Sequence, residues 1–185
     1  MQTFPTPEIL ADWLQAHAIE TAAWGRGNAK SVTDLWREVQ QAESALYTEP
    51  PLRRVRVVEV IVRQGTLMLL EAAQHLATGQ VRRRDQPPSE KMHPHETPLM
   101  AAQRCLAEEL GITDSATVRF AEQQVTTRTT EQESISYPGL VTEFTFYRLE
   151  AWVTGLPSGE FTTPNAAYSH GDPVIFHRWR WVDAN

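Results

Sequence analysis

The sequence has a single cysteine, no long hydrophobic run and no excess of basic residues, and each of these features argues against one class of protein. One cysteine in 185 residues excludes an intrachain disulfide and suits a reducing compartment. No apolar stretch reaches membrane-spanning length, and the first twenty residues carry Glu8, Asp12 and Glu20 instead of a basic, apolar signal peptide. A net charge of −6 argues against nucleic acid as the main partner. The composition predicts a soluble, cytoplasmic protein.

The chain divides near residue 50, and its length suits one domain with a helical extension. In residues 1–50, a short amphipathic helix is predicted after Thr6-Pro7, and a second after Ser31, where Asp34 completes a capping-box pattern. The apolar stripe of this second helix comprises Val32, Leu35, Trp36, Val39 and Leu46. Two lone helices bury little surface, so we expect them to pack on the main domain or across a homodimer.

Residues 51–185 are predicted to form a domain built on a sheet. The β-branched run from Val55 to Val62 is followed by Gly65 and then by Leu67 to Leu70, a pattern typical of a hairpin. Further strand candidates cover residues 117–125, 144–153 and 174–182. Tyr137-Pro138-Gly139-Leu140 favours a type II turn, because proline and glycine occupy its two central positions. His177, Trp179 and Trp181 share one face of the last candidate strand and are interpreted as core packing.

One predicted helix, between residues 97 and 111, concentrates the chemically informative side chains. Thr97-Pro98 is a good helix start and Gly111 a good stop. An apolar stripe, expected to face a core, is formed by Leu99, Ala102, Leu106 and Leu110.

The acidic residues of this helix are expected to lie on a different face. Cys105, Glu108 and Glu109 are three and four residues apart, with Arg104 one turn before Glu108. Adjacent carboxylates repel each other unless a cation or an arginine neutralises them, and such hard oxygen ligands suit magnesium. The alternative is a solvated acidic face with an Arg104–Glu108 ion pair.

Residues 90–112 resemble a degenerate Nudix box. Seven residues match the box at its spacing, namely Glu96, Arg104, Leu106, Glu108, Glu109, Gly111 and Ile112. Two positions depart from it, because Glu90 stands where the box has its first glycine and Cys105 where it has the glutamate after the arginine. The resemblance implies the α/β fold of Nudix proteins, an α/β/α sandwich with a mixed sheet.

The resemblance also implies a chemistry and a set of site residues. Nudix hydrolases cleave a diphosphate linked to another moiety, usually a nucleoside, with Mg²⁺ or Mn²⁺ held by glutamates of the box. Carried over by position, Glu108 and Glu109 are metal ligands, Arg104 orients a carboxylate, and Glu96 supports the loop or a second metal. The expected partner is therefore a nucleotide-like small molecule.

Cys105 leaves two interpretations open. A thiol is neutral near pH 7 and its sulfur suits zinc better than magnesium, so catalysis is expected to be slow. In place of the glutamate that Cys105 replaces, a catalytic base could be supplied by Glu90, Glu131, Glu133 or His170. The alternative is a protein of this fold that binds a ligand or regulates without turnover, and a third hypothesis is an interaction protein that docks through its N-terminal helices.

Arg82 and Arg84 are the candidate substrate-binding residues. They precede the box loop, where Nudix proteins bring the substrate phosphates, and can hold an anion in an otherwise acidic chain. The alternative is a solvated strand end with alternating arginines.

Overall fold

The computed structural model describes residues 2–27, 29–121, 124–170 and 172–184, with only the backbone described at 169 and 170. Three helices are α1 (Pro7–Ala16), α2 (Val32–Gln40) and α3 (Pro98–Leu110). The strands are β1 (Ala45–Thr48), β2 (Pro51–Gln64), β3 (Leu67–Leu76), β4 (Val81–Gln86), β5 (Ser89–Lys91), β6 (Val118–Phe120), β7 (Thr126–Glu133), β8 (Val141–Val153), β9 (Phe161–Pro164) and β10 (Val174–Asp183). Within the described ranges, no helix is both long and apolar enough to cross a membrane.

The chain forms two compact units. The first comprises residues 1–57, 91–95 and 128–146, and the second comprises residues 58–90, 96–127 and 147–185. Strands β2 and β8 are long enough to contribute residues to both units. Each unit has its own buried apolar side chains.

In the second unit, the strands follow the order β6, β8, β2, β3, β10 and β9, with β4 beside β3. The pairs β6–β8, β2–β3, β3–β10 and β9–β10 are antiparallel. By contrast, β2 and β8 run in parallel. Glu59 pairs with Arg148, and further along both strands Arg63 pairs with Glu150. The result is a curled mixed sheet with few helices, which confirms the predicted fold class.

The first unit is built around the two predicted N-terminal helices. Thr6 caps α1 and a complete Ser31/Asp34 capping box starts α2, as expected. Their buried side chains pack with the turn at residues 137–140 in one cluster, which includes Phe4, Leu10, Leu14, Leu35, Tyr137 and Leu140. Within this turn, Gly139 has a φ of 83° and the Leu140 amide donates to the Tyr137 carbonyl at 3.0 Å, which confirms the predicted reversal.

Two local predictions are wrong. Leu46 lies in β1 and not on the α2 stripe, because α2 ends at Gln40 and Ala42 has a positive φ of 55° that stops the helix. The strand predicted over residues 117–125 is reduced to β6, because a 3-10 turn at Ser115–Thr117 precedes Val118–Phe120. Residues 122 and 123 of that prediction lie outside the described residues.

Candidate active site

Helix α3 carries the predicted metal-binding residues and has the predicted bounds. The Thr97 hydroxyl accepts a hydrogen bond from the Met100 amide at 3.2 Å, and Gly111 ends the helix with a φ of 71°. Its buried side chains are Ala101, Ala102, Cys105, Leu106, Glu109 and Leu110. Cys105 and Glu109 were expected on a separate face, so this part of the prediction is wrong. The helix instead buries a carboxylate together with its apolar stripe.

Arg104 brings two of the predicted site carboxylates together. Its Nε donates to Glu96 Oε1 at 2.7 Å and its Nη2 to Glu96 Oε2 at 3.0 Å, a bidentate pair. Its Nη1 donates to Glu108 Oε2 at 3.2 Å. Although burial alone would lower the pKa of Arg104, the carboxylates of Glu96, Glu90 and Glu108 raise it. In this arrangement, the Arg104 guanidinium bridges the carboxylates of Glu96 and Glu108.

Glu109 is the most unusual carboxylate of the site. It is 7% exposed, and its Oε2 atom has no hydrogen-bond partner among the described residues. Burial raises the pKa of Glu109 well above its ordinary value, and the charges of Glu71 and Glu90 raise it further. A buried oxygen without a partner, next to other carboxylates, fits a hard divalent cation.

The candidate ligand side chains are only partly arranged to bind a metal ion. Within the described part of the chain, no group of three or more His, Cys, Asp or Glu side chains is already arranged to hold a metal ion. Of the three predicted ligands, Glu96 and Glu108 bind Arg104, whereas Glu109 is buried. A cation on Glu109 would therefore require Glu108 or Glu96 to exchange the guanidinium for the metal.

Cys105 is a neutral, fully buried thiol. Burial raises the pKa of Cys105 well above its ordinary value, and the charges of Glu109 and Glu90 raise it further. This position therefore supplies neither a negative charge nor a nucleophile near neutral pH. The effect of Glu90 on Arg104, Cys105 and Glu109 indicates that its carboxylate lies in the same cluster.

A second buried carboxylate, Glu71 on β3, was not singled out from the sequence. Its side chain is 3% exposed, and its Oε1 contacts His177 Nδ1 at 2.5 Å. Its Oε2 accepts from Arg84 Nε at 3.1 Å and from Gln74 Nε2 at 3.3 Å. Burial would raise the pKa of Glu71, but these partners hold it below its ordinary value. His177, interpreted as core packing, is therefore part of a polar network.

The end of α3 is attached to the last two strands. The Thr163 hydroxyl on β9 donates to the Glu109 carbonyl and accepts a hydrogen bond from Trp179 Nε1 at 2.7 Å. The Trp179 ring stacks on His177, with 5.6 Å between ring centroids. Neighbouring side chains of β10 thus contact the Glu71 network directly and the Glu109 carbonyl through Thr163.

The two predicted substrate-binding arginines lie on β4, which pairs with β3. Arg84 contacts Glu71 and is close enough to Glu109 for its positive charge to lower the pKa of that carboxyl. Arg82 Nη1 lies 3.4 Å from Gln74 Oε1. Arg83 is exposed between them, and alternation along a strand directs its side chain to the opposite face.

Comparison with known proteins decides the family. A family model for the NUDIX domain matches residues 50–185. The chain belongs to this family. A search of curated proteins found no match.

Several solved structures resemble this NUDIX chain at low identity. The C. elegans Ap4A hydrolase is 18% identical, with 70% of this chain and 80% of that chain covered and a TM-score of 0.38. A NUDIX hydrolase from Nitrosomonas europaea is 17% identical, with 56% and 62% covered and a TM-score of 0.38. The E. coli ORF135 protein is 20% identical, with 52% and 60% covered and a TM-score of 0.32. This chain thus spans less than two thirds of the ORF135 protein, and the family assignment rests on the family model.

Four residues of this NUDIX chain are candidate sources of a base. Glu90 lies in the second unit with Glu109. Glu131 and Glu133 lie on the exposed strand β7 of the first unit, where Glu133 Oε1 accepts a hydrogen bond from the Gly139 amide at 2.8 Å. The side chain of His170 lies outside the described part of the protein.

The raised pKa of Glu109 predicts that the metal-free NUDIX protein becomes less stable as the pH rises. This pKa is raised in the folded state, so the free energy of unfolding should be largest near or below the unfolded pKa of about 4.5. Stability is then lost as the pH rises toward the folded pKa. Glu109→Gln should remove this loss and be more stable than wild type at pH 8 in chelator, by roughly 1 to 3 kcal/mol.

Denaturant titrations at pH 5.5 and pH 8 in chelator measure this difference. Glu38 and Glu71, whose pKa values are lowered, contribute their pH dependence in more acidic solution. Contributions of other groups are shared by both proteins, so the difference between wild type and Glu109→Gln isolates Glu109. Equal pH dependence in wild type and Glu109→Gln would contradict the prediction.

Proposed function

We propose that this protein is a hydrolase that cleaves a diphosphate linkage in a nucleoside diphosphate derivative with the help of Mg²⁺ or Mn²⁺. The observation that carries the proposal is the buried, unpartnered Oε2 of Glu109, at the end of the box helix and near Arg84. A free carboxylate oxygen offers a cation a ligand, and a nearby guanidinium offers the substrate an anion partner. The two together suit a metal-bound phosphate.

The proposed roles follow the positions of the side chains. Glu108 and Glu109, with Glu96, hold the cation, and Arg104 orients Glu96 and Glu108. Arg84 and Arg82 bind the phosphates from β4. A bound divalent cation would acidify water and neutralise charge on the phosphoryl oxygens.

We infer that Glu90 takes over the negative charge that Cys105 does not supply. Glu90 and Cys105 are the two departures from the box, and the Glu90 carboxylate acts electrostatically on Cys105, Arg104 and Glu109. Among the four candidate bases, Glu90 is therefore the one we propose to accept the proton from water.

Hydrolysis of a substrate panel tests this function. We expect Mg²⁺- or Mn²⁺-dependent release of phosphate or nucleotide from at least one nucleoside diphosphate derivative, and none in chelator. Activity on phosphate monoesters alone would contradict the proposal, because no diphosphate is then recognised. The panel should include nucleoside diphosphate sugars, dinucleoside polyphosphates and nucleoside triphosphates, since we propose a diphosphate linkage and no particular attached moiety.

The second candidate function is ligand binding or regulation without turnover. The neutral Cys105 thiol in the cluster favours it, because the site has one carboxylate fewer than the box on this helix. Metal-dependent nucleotide binding in the absence of hydrolysis across the whole panel would select this function.

We further propose that residues 1–50 form an extension of a NUDIX domain over residues 51–185. The family model begins at residue 50, which supports this division. Association into a homodimer and a cytoplasmic location stay predictions from the sequence.

A further inference from the structure

Glu71 is a charged group that is almost completely buried, and the described partners account for both of its oxygens. Oε1 contacts His177 Nδ1, and Oε2 accepts from Arg84 Nε at 3.1 Å and from Gln74 Nε2 at 3.3 Å. A carboxylate with 3% exposure is stable only when it is paired and hydrogen-bonded. The arrangement fixes the orientation of the carboxylate plane.

The same contacts fix Arg84. Its guanidinium meets Glu71 through Nε, and among the described residues its Nη1 and Nη2 atoms have no hydrogen-bond partner. Arg84 is 28% exposed, so this edge can reach a ligand. Two parallel N–H donors match the oxygens of a phosphoryl group.

Neighbouring residues of β10 support both sides of the site. His177 holds Glu71, whereas Trp179 holds Thr163, which in turn donates to the carbonyl of Glu109. The His177 and Trp179 rings stack, so the two arms of the network are in contact. A rigid set of supporting partners of this kind keeps charged groups in a productive geometry.

We propose that Glu71 and His177 are positioning residues that orient the Arg84 guanidinium toward a phosphoryl group bound beside Glu109. The identity of this ligand as a diphosphate rests on the proposed function, whereas the positioning of Arg84 rests on the Glu71 network alone.

The sign of one substitution separates positioning from a simple charge effect. Glu71→Gln removes a negative charge near the site, so without a positioning role it should strengthen the binding of an anion. If Glu71 orients Arg84, the same substitution should weaken anion binding instead, because the charge-assisted contact to Arg84 is lost.

Calorimetric titration with methylenediphosphonate, a non-hydrolysable diphosphate, in saturating Mn²⁺ tests this. We expect Kd to rise roughly tenfold in Glu71→Gln and in Arg84→Lys, about the value of one well-placed charged contact. In the Arg84→Lys background, Glu71→Gln should add no further weakening, as coupled residues require. Arg83→Lys, on the opposite face of β4, is the matched control and should bind like wild type.

His177 provides a second test if Glu71→Gln does not fold. His177→Asn keeps a donor for Glu71 at the position of Nδ1 and should bind diphosphonate within about threefold of wild type, whereas His177→Leu should weaken binding several-fold. Denaturant titration of each variant verifies its folded state. Equal binding by the two variants would contradict the proposal.

The outcomes separate this inference from the proposed function. Tighter binding by Glu71→Gln, additive effects with Arg84→Lys, or no diphosphonate binding by wild type would overturn the positioning role. Weaker binding by Glu71→Gln without hydrolysis of any panel substrate would support positioning while the hydrolase proposal fails. Hydrolysis with an unchanged KM in Glu71→Gln would overturn positioning while the hydrolase proposal stands.

Discussion

Replacing Glu109 by glutamine is expected to lower kcat/KM on the best panel substrate by roughly 10²- to 10⁴-fold. A metal contributes several kcal/mol of charge stabilisation in the transition state, and each 1.36 kcal/mol corresponds to a factor of ten. Glu109 Oε2 is the one buried carboxylate oxygen of the described residues without a hydrogen-bond partner, so its loss should remove the cation and not merely weaken a contact. Steady-state rates at saturating Mn²⁺ measure the effect.

The same substitution should abolish stabilisation by metal. Wild type should gain about 2.7 kcal/mol when free Mn²⁺ is one hundred times its Kd, because the cation binds only the folded state. Glu109→Gln should gain nothing at that concentration. Cys105→Ala is a matched control, since Cys105 is buried on the same helix and carries no charge. Full activity in Glu109→Gln, or equal losses in Cys105→Ala, would contradict a metal site at Glu109.

Replacing Glu38 by alanine is expected to destabilise the first unit by about 3 to 5 kcal/mol, the usual cost of leaving a buried charge unpaired. Glu38 Oε1 contacts Lys30 Nζ at 2.8 Å and Lys91 Nζ at 2.6 Å, and Oε2 contacts Arg53 Nη2 at 2.7 Å. The Arg53 side chain is only 4% exposed, so it cannot recover its hydration when Glu38 is removed. Denaturant unfolding of the full chain measures the loss.

Arg37→Ala is the control on the same helix, because the Arg37–Asp34 pair is 63% and 40% exposed and should contribute at most about 0.5 kcal/mol. The double substitution Glu38→Leu/Arg53→Met replaces both buried charges by apolar groups and should recover most of the lost stability. A small effect of Glu38→Ala, or no recovery in the double variant, would show that the buried Glu38–Arg53 pair does not account for the loss of stability.

Local sequence signals predicted the parts of the protein that depend on neighbouring residues. Thr97, Pro98 and Gly111 set the bounds of α3, because capping and termination use backbone groups within one helical turn. The Ser31/Asp34 box and the reversal at Gly139 are local in the same sense. The β-branched run of β2 and the hairpin at Gly65 were predicted for similar reasons.

Polar strands gave no such signal. Strands β4 and β7 are exposed along most of their lengths, so neither shows the alternation of apolar and polar residues that marks a half-buried strand. Each is a strand because it pairs with a longer neighbour, β3 for β4 and β8 for β7. Such strands follow from the sheet and not from their own composition.

The Glu71 network shows the same limit within the candidate site. Glu71 and His177 are 106 residues apart, and neither belongs to a motif with fixed spacing. One signal was present, since Glu71 interrupts an apolar strand at a position that the sheet buries. A charged residue in such a run indicates a buried partner, but the sequence does not identify which residue it is.

The sequence by itself determined the family, the helix that carries Glu108 and Glu109, and the two departures at Glu90 and Cys105. These features depend on residue types at short fixed spacings, which can be read directly from the amino-acid sequence. Only the tertiary structure decided that Glu109 is buried with an unpartnered oxygen while Arg104 holds Glu96 and Glu108. Burial and pairing are set by which strands and helices pack together. The free energy of ionising a carboxyl group depends on those neighbours more than on its position in the chain.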